Sequence, residues 1–381
     1  MAPDPSSSSV PVSQDRVRAI DWLRGIAVLF MIQTHALALL TPELRQSPWV
    51  GRLLKVDGLV APAFIFSAGF ATALLMVRSA AGGVLRERVG RNLRRIGEVL
   101  AVATLVNWAW FPLLREPVWI LRMDILQCVG ACLLIVLPVA ALLASRPRVL
   151  APVSFVLAMA VFAVAPLGEL VQGPWATLTH KSSFAPFPLL PWLGFAWLGA
   201  FSGTVAGAWG RAGLARALVL LMALGFAGML AGDFLYGLYP PHRFFVANPS
   251  NSAVRFAWVC TVLLGLIWLE GRVPAGAKAS RTRRFIEVFG TSSLSAYFFH
   301  EMLLFYRIGG VFSFQRFWGD RSGWLGFWLL LAVLIGLTFL LCIATDRMER
   351  GVRPALGALV KQALPGRRDS TPHPEAPNPR N

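Results

Sequence analysis

The sequence predicts an all-α membrane protein, a polytopic helix bundle of about ten transmembrane spans. Of its 381 residues, 56% are hydrophobic and only 14% are charged, and the mean hydropathy is +0.60. The apolar residues fall in long blocks that approach the ~20 residues a helix needs to cross a bilayer. Lipid offers no partner for backbone N–H and C=O groups, so these blocks must form helices, and the alternating pattern of a membrane barrel is absent from the sequence.

Ten apolar stretches define the predicted spans. In chain order they are residues 18–40, 58–78, 95–114, 119–144, 149–166, 188–209, 214–236, 253–270, 285–306 and 323–345. Alternate connections are rich in arginine, whereas the loops between them carry fewer basic residues. Because Lys and Arg concentrate on the cytoplasmic side of a bilayer, both termini are predicted to be cytoplasmic.

Two polar tails flank the predicted membrane domain, which comprises residues 16–346. Residues 1–15 are rich in Ser and Pro and lack the charged segment and apolar core of a cleavable signal peptide. They are predicted to be a disordered N-terminal tail, and residues 347–381 a basic, largely disordered C-terminal tail. The sequence shows no soluble domain and no clear internal repeat.

The cysteines and the net charge of +17 argue against two other classes of protein. Cys128, Cys132, Cys260 and Cys342 all fall in predicted spans, which is typical of packing residues and not of a disulfide framework or a zinc site. We therefore expect no metal. The basic residues lie in loops between spans and not on one soluble face, so the charge reflects membrane topology and no nucleic-acid partner is expected.

The first predicted span carries ionisable residues, which are expensive inside a bilayer and are candidates for function by default. Arg24 and His35 are eleven positions apart, so they share one stripe of the helix, ~16 Å apart along its axis. Asp21 lies on nearly the same face and can pair with Arg24 at the i,i+3 spacing. A structural interpretation stays open: Asp21 and Arg24 cap the helix at the cytoplasmic interface, and His35 lies near the outer one.

Arg24, ten intervening residues and His35 resemble the R-X10-H signature of the acyltransferase family 3 membrane enzymes. Residues 20–25 (IDWLRG) are similar to the opening motif of bacterial homologues of heparan-α-glucosaminide N-acetyltransferase. Further similar motifs follow in order: residues 62–70 (PAFIFSAGF), 91–94 (RNLR), 123–127 (MDILQ), 188–194 (PLLPWLG) and 290–300 (GTSSLSAYFFH). Each motif is short, and the specificity of the resemblance lies in their order and placement.

The resemblance implies a membrane enzyme that moves an acyl group, with acetyl expected, from cytoplasmic acyl-CoA to an extracytoplasmic acceptor. The acceptor implied is a hydroxyl or amine of a carbohydrate or glycolipid, and the location implied is a bacterial inner membrane. Such a transfer needs a base for the acceptor's proton and a group that stabilises the oxyanion. His35 suits the first role, because histidine titrates near neutral pH. His35, together with Arg24 and Asp21 on the same stripe of the helix, is the predicted catalytic group. The alternative to direct transfer is covalent transfer through an acyl-histidine.

The phosphates of acyl-CoA need cationic partners, and the RxxR motif predicts Arg91 and Arg94 for this role. Anchoring of their basic loop to anionic lipid is the alternative. Asp124, Gln127 and His300 lie in the outer halves of their predicted spans. They are predicted to line the acceptor pocket or to orient the catalytic histidine, with hydrogen bonding between helices as the alternative.

One departure from the family pattern concerns the loop after the first span. The eukaryotic enzyme carries a functional histidine there, shortly before a Trp, whereas residues 46–49 of this chain read QSPW. His35 must serve instead, or the activity is absent.

Two other functions are compatible with the sequence. One is a transporter or flippase whose intramembrane His and Asp residues form a proton or substrate path, and the other is a non-catalytic helper that retains the scaffold. Besides acyl-CoA and the acceptor, the expected partners are the lipid bilayer and, in a homo-oligomer, further copies of the chain.

Overall fold

The computed structural model describes residues 16–110, 116–274, 279–306 and 311–363. The α-helices are α1 (Arg18–Ala36), α2 (Pro42–Arg45), α3 (Pro48–Asp57), α4 (Val60–Ala81), α5 (Leu85–Trp110), α6 (Ile125–Leu142), α7 (Pro147–Gly168), α8 (Ala176–Thr179), α9 (Leu189–Leu230), α10 (Gly232–Gly237), α11 (Phe244–Ala247), α12 (Pro249–Gly271), α13 (Arg281–Thr291), α14 (Ser293–Leu304), α15 (Phe314–Trp318) and α16 (Trp324–Ala363). The only β-pairing in these residues is an isolated bridge between Leu40 and Ser322. The predicted all-α class is confirmed.

Seven helical segments in the described residues are long and apolar enough to cross a membrane. They are Arg18–Leu39, Pro48–Ala81, Ile125–Leu142, Pro147–Gly168, Leu189–Leu230, Pro249–Gly271 and Trp324–Arg350. The fifth of these corresponds to two of the predicted spans, 188–209 and 214–236. α9 breaks between them at Gly210, whose φ of 66° lies in the left-handed region that glycine adopts most readily. The polytopic bundle is therefore confirmed, and the number of ten spans stays a prediction.

The predicted span 285–306 consists of two helices and not of one. Between α13 and α14 lies Ser292, with φ −104° and ψ 30°. The hydroxyl of Thr291 donates to the carbonyl oxygens of Glu287 at 2.9 Å and Val288 at 3.2 Å. Hydroxyl side chains offer the backbone such local alternatives to regular helix, and three of them follow one another at positions 291–293. The break therefore follows from the composition of this segment.

Two helices extend beyond the predicted spans. α5 begins at Leu85, ahead of the predicted span 95–114, and residues 111–114 of that span lie outside the described residues. α16 continues to Ala363, into the segment predicted to be the C-terminal tail. The remainder of that tail and the predicted N-terminal tail lie outside the described residues.

Two glycines bring α1 against α13 at backbone distance. A Cβ atom at Gly290 would overlap the carbonyl oxygen of Asp21, and one at Gly25 would overlap that of Ile286. Small residues permit this close approach of helices in a membrane. The contact fixes α1, which carries His35, against the segment that continues directly into α14.

Glu270 anchors the start of α1. It lies near the end of α12, is 7% exposed, and its carboxylate accepts the backbone N–H groups of Arg18 and Ala19, both at 3.1 Å. Arg211 forms a 3.0 Å ion pair with the same carboxylate. The first N–H groups of a helix have no partner within the helix, so an acidic side chain at this position stabilises α1.

Replacing Glu270 by alanine is expected to lower the free energy of unfolding by about 1–2 kcal/mol, the usual cost of losing an N-cap acceptor. The measurement is thermal unfolding of the purified protein in detergent. The matched control is Glu98→Ala, which removes an exposed carboxylate that pairs with Arg94 within α5 and should barely move the midpoint. Equal losses in the two variants would contradict the capping role.

Candidate active site

His35 lies in the last turn of α1 and contacts α14. Its Nδ1 atom is 2.7 Å from Oε1 of Glu301 and 2.9 Å from Nε2 of His300. His300 is fully buried and Glu301 is 6% exposed, whereas the side chain of His35 keeps 34% of its exposure. The structure therefore brings the predicted catalytic histidine together with one predicted acceptor-site residue and with one carboxylate.

Aromatic rings enclose the histidine pair. The rings of His35 and His300 stack with centroids 5.1 Å apart, and Phe305 lies 6.0 Å from the ring of His35. Tyr297 contacts His300 edge-on at 5.6 Å. The packing fixes both imidazoles, while Nε2 of His35 has no hydrogen-bond partner among the residues that the structure describes. This nitrogen is therefore available to a substrate.

The sequence reasoning missed Glu301, although a signal was present. Glu301 is an ionisable residue inside the predicted span 285–306, directly after His300. The rule that singled out the polar residues of the first span applies equally to this pair.

Asp21 and Arg24 form the predicted pair, but they lie at the other end of α1. Nη2 of Arg24 donates to Oδ1 of Asp21 at 2.6 Å, and Nε of Arg16 donates to Oδ2 at 2.7 Å. Nε of Arg24 is buried without a hydrogen-bond partner in the described part of the chain. The eleven positions from Arg24 to His35 place the two residues ~16 Å apart along the helix. The three predicted catalytic residues are thus divided between two places.

A basic cavity opens beside Asp21, between α1, α13 and α16. Its volume is about 820 Å³. The arginines that line it are Arg16, Arg18, Arg283, Arg284, Arg347 and Arg350. Three acidic residues, Asp21, Glu287 and Asp346, also line the cavity. Cationic side chains are in excess, so the cavity suits an anionic ligand with several charges.

Arg91 and Arg94 lie on α5 and do not line this cavity. Arg91 forms a 3.6 Å ion pair with Glu87, and Arg94 a 3.2 Å pair with Glu98, each four residues away on the same helix. Their side chains are 53% and 82% exposed. Both guanidinium groups are therefore accessible, and their role in binding acyl-CoA stays a prediction.

Asp124 and Gln127 hold the start of α6 in place. The side chain of Asp124 caps the helix by accepting the N–H of Ile125 at 2.7 Å, and it pairs with Arg122 at 3.4 Å. Gln127 donates to the carbonyl oxygen of Ala103 on α5 at 3.1 Å. These bonds agree with the helix-to-helix alternative, and a part of either residue in acceptor binding stays a prediction.

His35, His300 and Glu301 are the group of residues in the described chain that could hold a metal ion. With the metal–ligand distances of zinc, about 2.1 Å, two ligands of a tetrahedral ion lie about 3.4 Å apart. The contacts of 2.7 Å and 2.9 Å to His35 are shorter than this and are hydrogen-bond distances. The geometry favours a hydrogen-bonded cluster, and elemental analysis of the purified protein would test the prediction that no metal binds.

The sequence profile of the heparan-α-glucosaminide N-acetyltransferase catalytic family matches residues 16–243, more than half of the chain. The family is one of membrane acetyltransferases, and the apolar helix bundle of this chain agrees with that class. The chain belongs to the heparan-α-glucosaminide N-acetyltransferase catalytic family, which confirms the resemblance found in the sequence. A search of curated proteins gave no match. The match includes His35 but ends before His300 and Glu301.

Proposed function

We propose that the protein transfers an acetyl group from acetyl-CoA, bound from the cytoplasmic side, to a hydroxyl or amine of an extracytoplasmic carbohydrate. The observation that carries the proposal is the arrangement along α1, which has a basic cavity at its first turn and a histidine cluster at its last. Membership of the family supplies the acetyl-transfer chemistry.

His35 is the catalytic residue in this proposal. Its Nε2 atom takes the proton of the acceptor while the acceptor oxygen or nitrogen attacks the thioester carbonyl carbon. The tetrahedral intermediate then expels CoA as a thiolate, which recovers the proton from the imidazolium. In the covalent alternative Nε2 attacks the carbonyl carbon first and CoA leaves as a thiolate; the acceptor then takes the acetyl group from the imidazole, and its proton passes by way of the freed Nε2 to the thiolate. Both routes use the same nitrogen.

The orientation follows from the distribution of arginines. The cavity end of the bundle holds Arg16, Arg18 and the arginines of α13 and α16, which is the pattern of a cytoplasmic face. We place both termini on that side, in the inner membrane of a bacterium. His35 then lies near the outer face, where a cell-envelope carbohydrate or glycolipid reaches it.

The phosphates of acetyl-CoA have two candidate binding sites, and the cavity is the better supported. It collects six arginines, five of them on three helices and Arg16 just ahead of α1, around one concave space beside the helix that carries His35. Asp21 at the cavity and His35 are fourteen positions apart, or ~21 Å along the helix. An elongated donor held there by its phosphates can extend along α1, past the unpartnered Nε of Arg24, to the histidine.

Exchanging Arg283 and Arg347 together for glutamine is expected to raise KM for acetyl-CoA by about 100-fold or more, since each of the two lost charged hydrogen bonds costs roughly 1.5–3 kcal/mol. The measurement is initial rate against acetyl-CoA concentration. Arg91→Gln with Arg94→Gln is the matched pair on α5 and should leave KM near wild type. The opposite result, with KM raised only by the second pair, would move the donor site to α5.

The function itself is tested with purified protein in vesicles, labelled acetyl-CoA and a panel of amino sugars and cell-envelope glycans. We expect acceptor labelling together with release of CoA. Movement of solute across the vesicle membrane without consumption of acetyl-CoA would instead identify a transporter and overturn the proposal.

A further inference from the structure

Nδ1 of His35 is shared between two acceptor atoms. Oε1 of Glu301 lies 2.7 Å away and Nε2 of His300 lies 2.9 Å away, both within hydrogen-bond distance. A neutral imidazole carries a single hydrogen, on one of its two nitrogens. Which nitrogen of His35 carries it therefore depends on what these two neighbours can accept.

His300 is held in one tautomer by its own helix. Its Nδ1 atom lies 2.9 Å from the carbonyl oxygen of Ala296, one turn earlier in α14. A carbonyl oxygen only accepts, so Nδ1 of His300 carries a hydrogen, and in the neutral ring Nε2 then presents a lone pair. The atom that faces His35 is thus an acceptor.

Glu301 presents a second acceptor to the same hydrogen. Its ion-pair partners in the described chain are His35 and His300, and no Lys or Arg reaches it there. A buried carboxylate inside a membrane needs a compensating charge or strong hydrogen bonds. The proton that His35 gains during acyl transfer supplies that charge, as the imidazolium does beside the buried carboxylate of hydrolase triads.

We infer that Glu301 is a positioning residue of the reaction, with His300 as its support. Glu301 holds the hydrogen of His35 on Nδ1, which leaves the lone pair on Nε2 for the acceptor or the acyl group, and it stabilises the imidazolium that forms. His300 accepts the same hydrogen and so supports this tautomer. This inference rests on the proposed function, and it assigns roles to two residues of α14 that lie outside the family match.

The test compares Glu301→Gln and Glu301→Asp with the wild type. A glutamine can donate its amide N–H to Nδ1 and so favours the wrong tautomer. We expect kcat to fall by about 10⁴-fold in Glu301→Gln, the loss known for a wrong histidine tautomer, with KM for acetyl-CoA unchanged. Glu301→Asp should recover part of the rate. Glu169→Gln, which removes a carboxylate paired with Arg243 far along the chain, is the control and should keep the wild-type rate.

A second readout does not depend on activity. The chain has five histidines, and the ¹⁵N spectrum of histidine-labelled protein distinguishes a protonated from an unprotonated ring nitrogen. The resonances of His35 are identified by their loss in His35→Ala. We expect a protonated Nδ1 and a bare Nε2 in the wild type and in Glu301→Asp, and the reverse in Glu301→Gln.

The two readouts separate the possible failures. An unchanged kcat in Glu301→Gln, or a lower kcat with the wild-type tautomer, would overturn the positioning role. If the wild type transfers no acetyl group to any acceptor, the proposed function fails, whereas the tautomer of His35 in the Glu301 variants still decides whether Glu301 sets it.

Discussion

Replacing His35 by alanine is expected to lower the rate of acetyl transfer by ~10²–10⁴-fold, the usual contribution of a positioned general base. The other proton acceptors of the described cluster, His300 and Glu301, are both buried, whereas the side chain of His35 is partly exposed and can meet a substrate. The measurement is release of CoA, with labelling of the acceptor, under saturating acetyl-CoA. If an acyl-histidine forms, the loss should be at the upper end of this range, since alanine then removes the nucleophile itself.

The matched control for His35 is His180→Ala. His180 lies at the end of α8, where Nδ1 approaches the carbonyl oxygen of Gly168 at 3.4 Å, and it is absent from the cluster. This variant should keep the wild-type rate. Transfer that persists in His35→Ala, with folding intact, would remove His35 from catalysis and leave the chemistry to another group.

Replacing Gly290 by leucine is expected to destroy the folded protein or to unfold it at a much lower temperature. Even a single Cβ atom at this position overlaps the carbonyl oxygen of Asp21, so a leucine must push α1 and α13 apart. Overpacking in a well-packed interior costs about 1–3 kcal/mol or more when side chains can adjust. Here the obstacle is backbone, and the loss should exceed that range. Yield in detergent and the midpoint of thermal unfolding measure it.

Gly97→Leu on α5 is the control for this experiment, because no atom lies within 4 Å of a Cβ added at Gly97. It should give normal yield and a midpoint near wild type. If Gly290→Leu behaves like Gly97→Leu, α1 and α13 do not meet at backbone distance. The geometry of the histidine cluster would then have to be revised.

Most of the fold could be predicted from the sequence, because a membrane-spanning helix can be recognised by the length of its apolar stretch. The break of α9 at Gly210 falls between the predicted spans 188–209 and 214–236. The exception is the predicted span 285–306, which hydroxyl side chains at positions 291–293 divide. Hydroxyl residues do not change the hydropathy of a span enough to reveal this break.

Helix geometry predicted the candidate site only along α1, and His300 was predicted to lie at the site from its motif and its position in the outer half of its predicted span. The positions of Arg24 and His35 on α1 follow from the helical repeat, which holds within a helix and is silent about its neighbours. That His35 meets His300 and Glu301 depends on how α14 packs against α1. The glycine contact between Gly25, Gly290 and the facing carbonyl groups sets this packing, and no spacing within either segment encodes it.

The length of α1 has a consequence for which donors the protein accepts. In the proposed function the donor's phosphates bind in the cavity at Asp21 and its acyl group reaches His35, so the helix between these residues sets a distance of ~21 Å that a donor must bridge. Discrimination between donors then depends on their length as well as on the size of the acyl group. A thioester that lacks the nucleotide presents the same carbonyl carbon to His35 but makes no contact with the arginines of the cavity. It therefore lacks the binding energy that would align it.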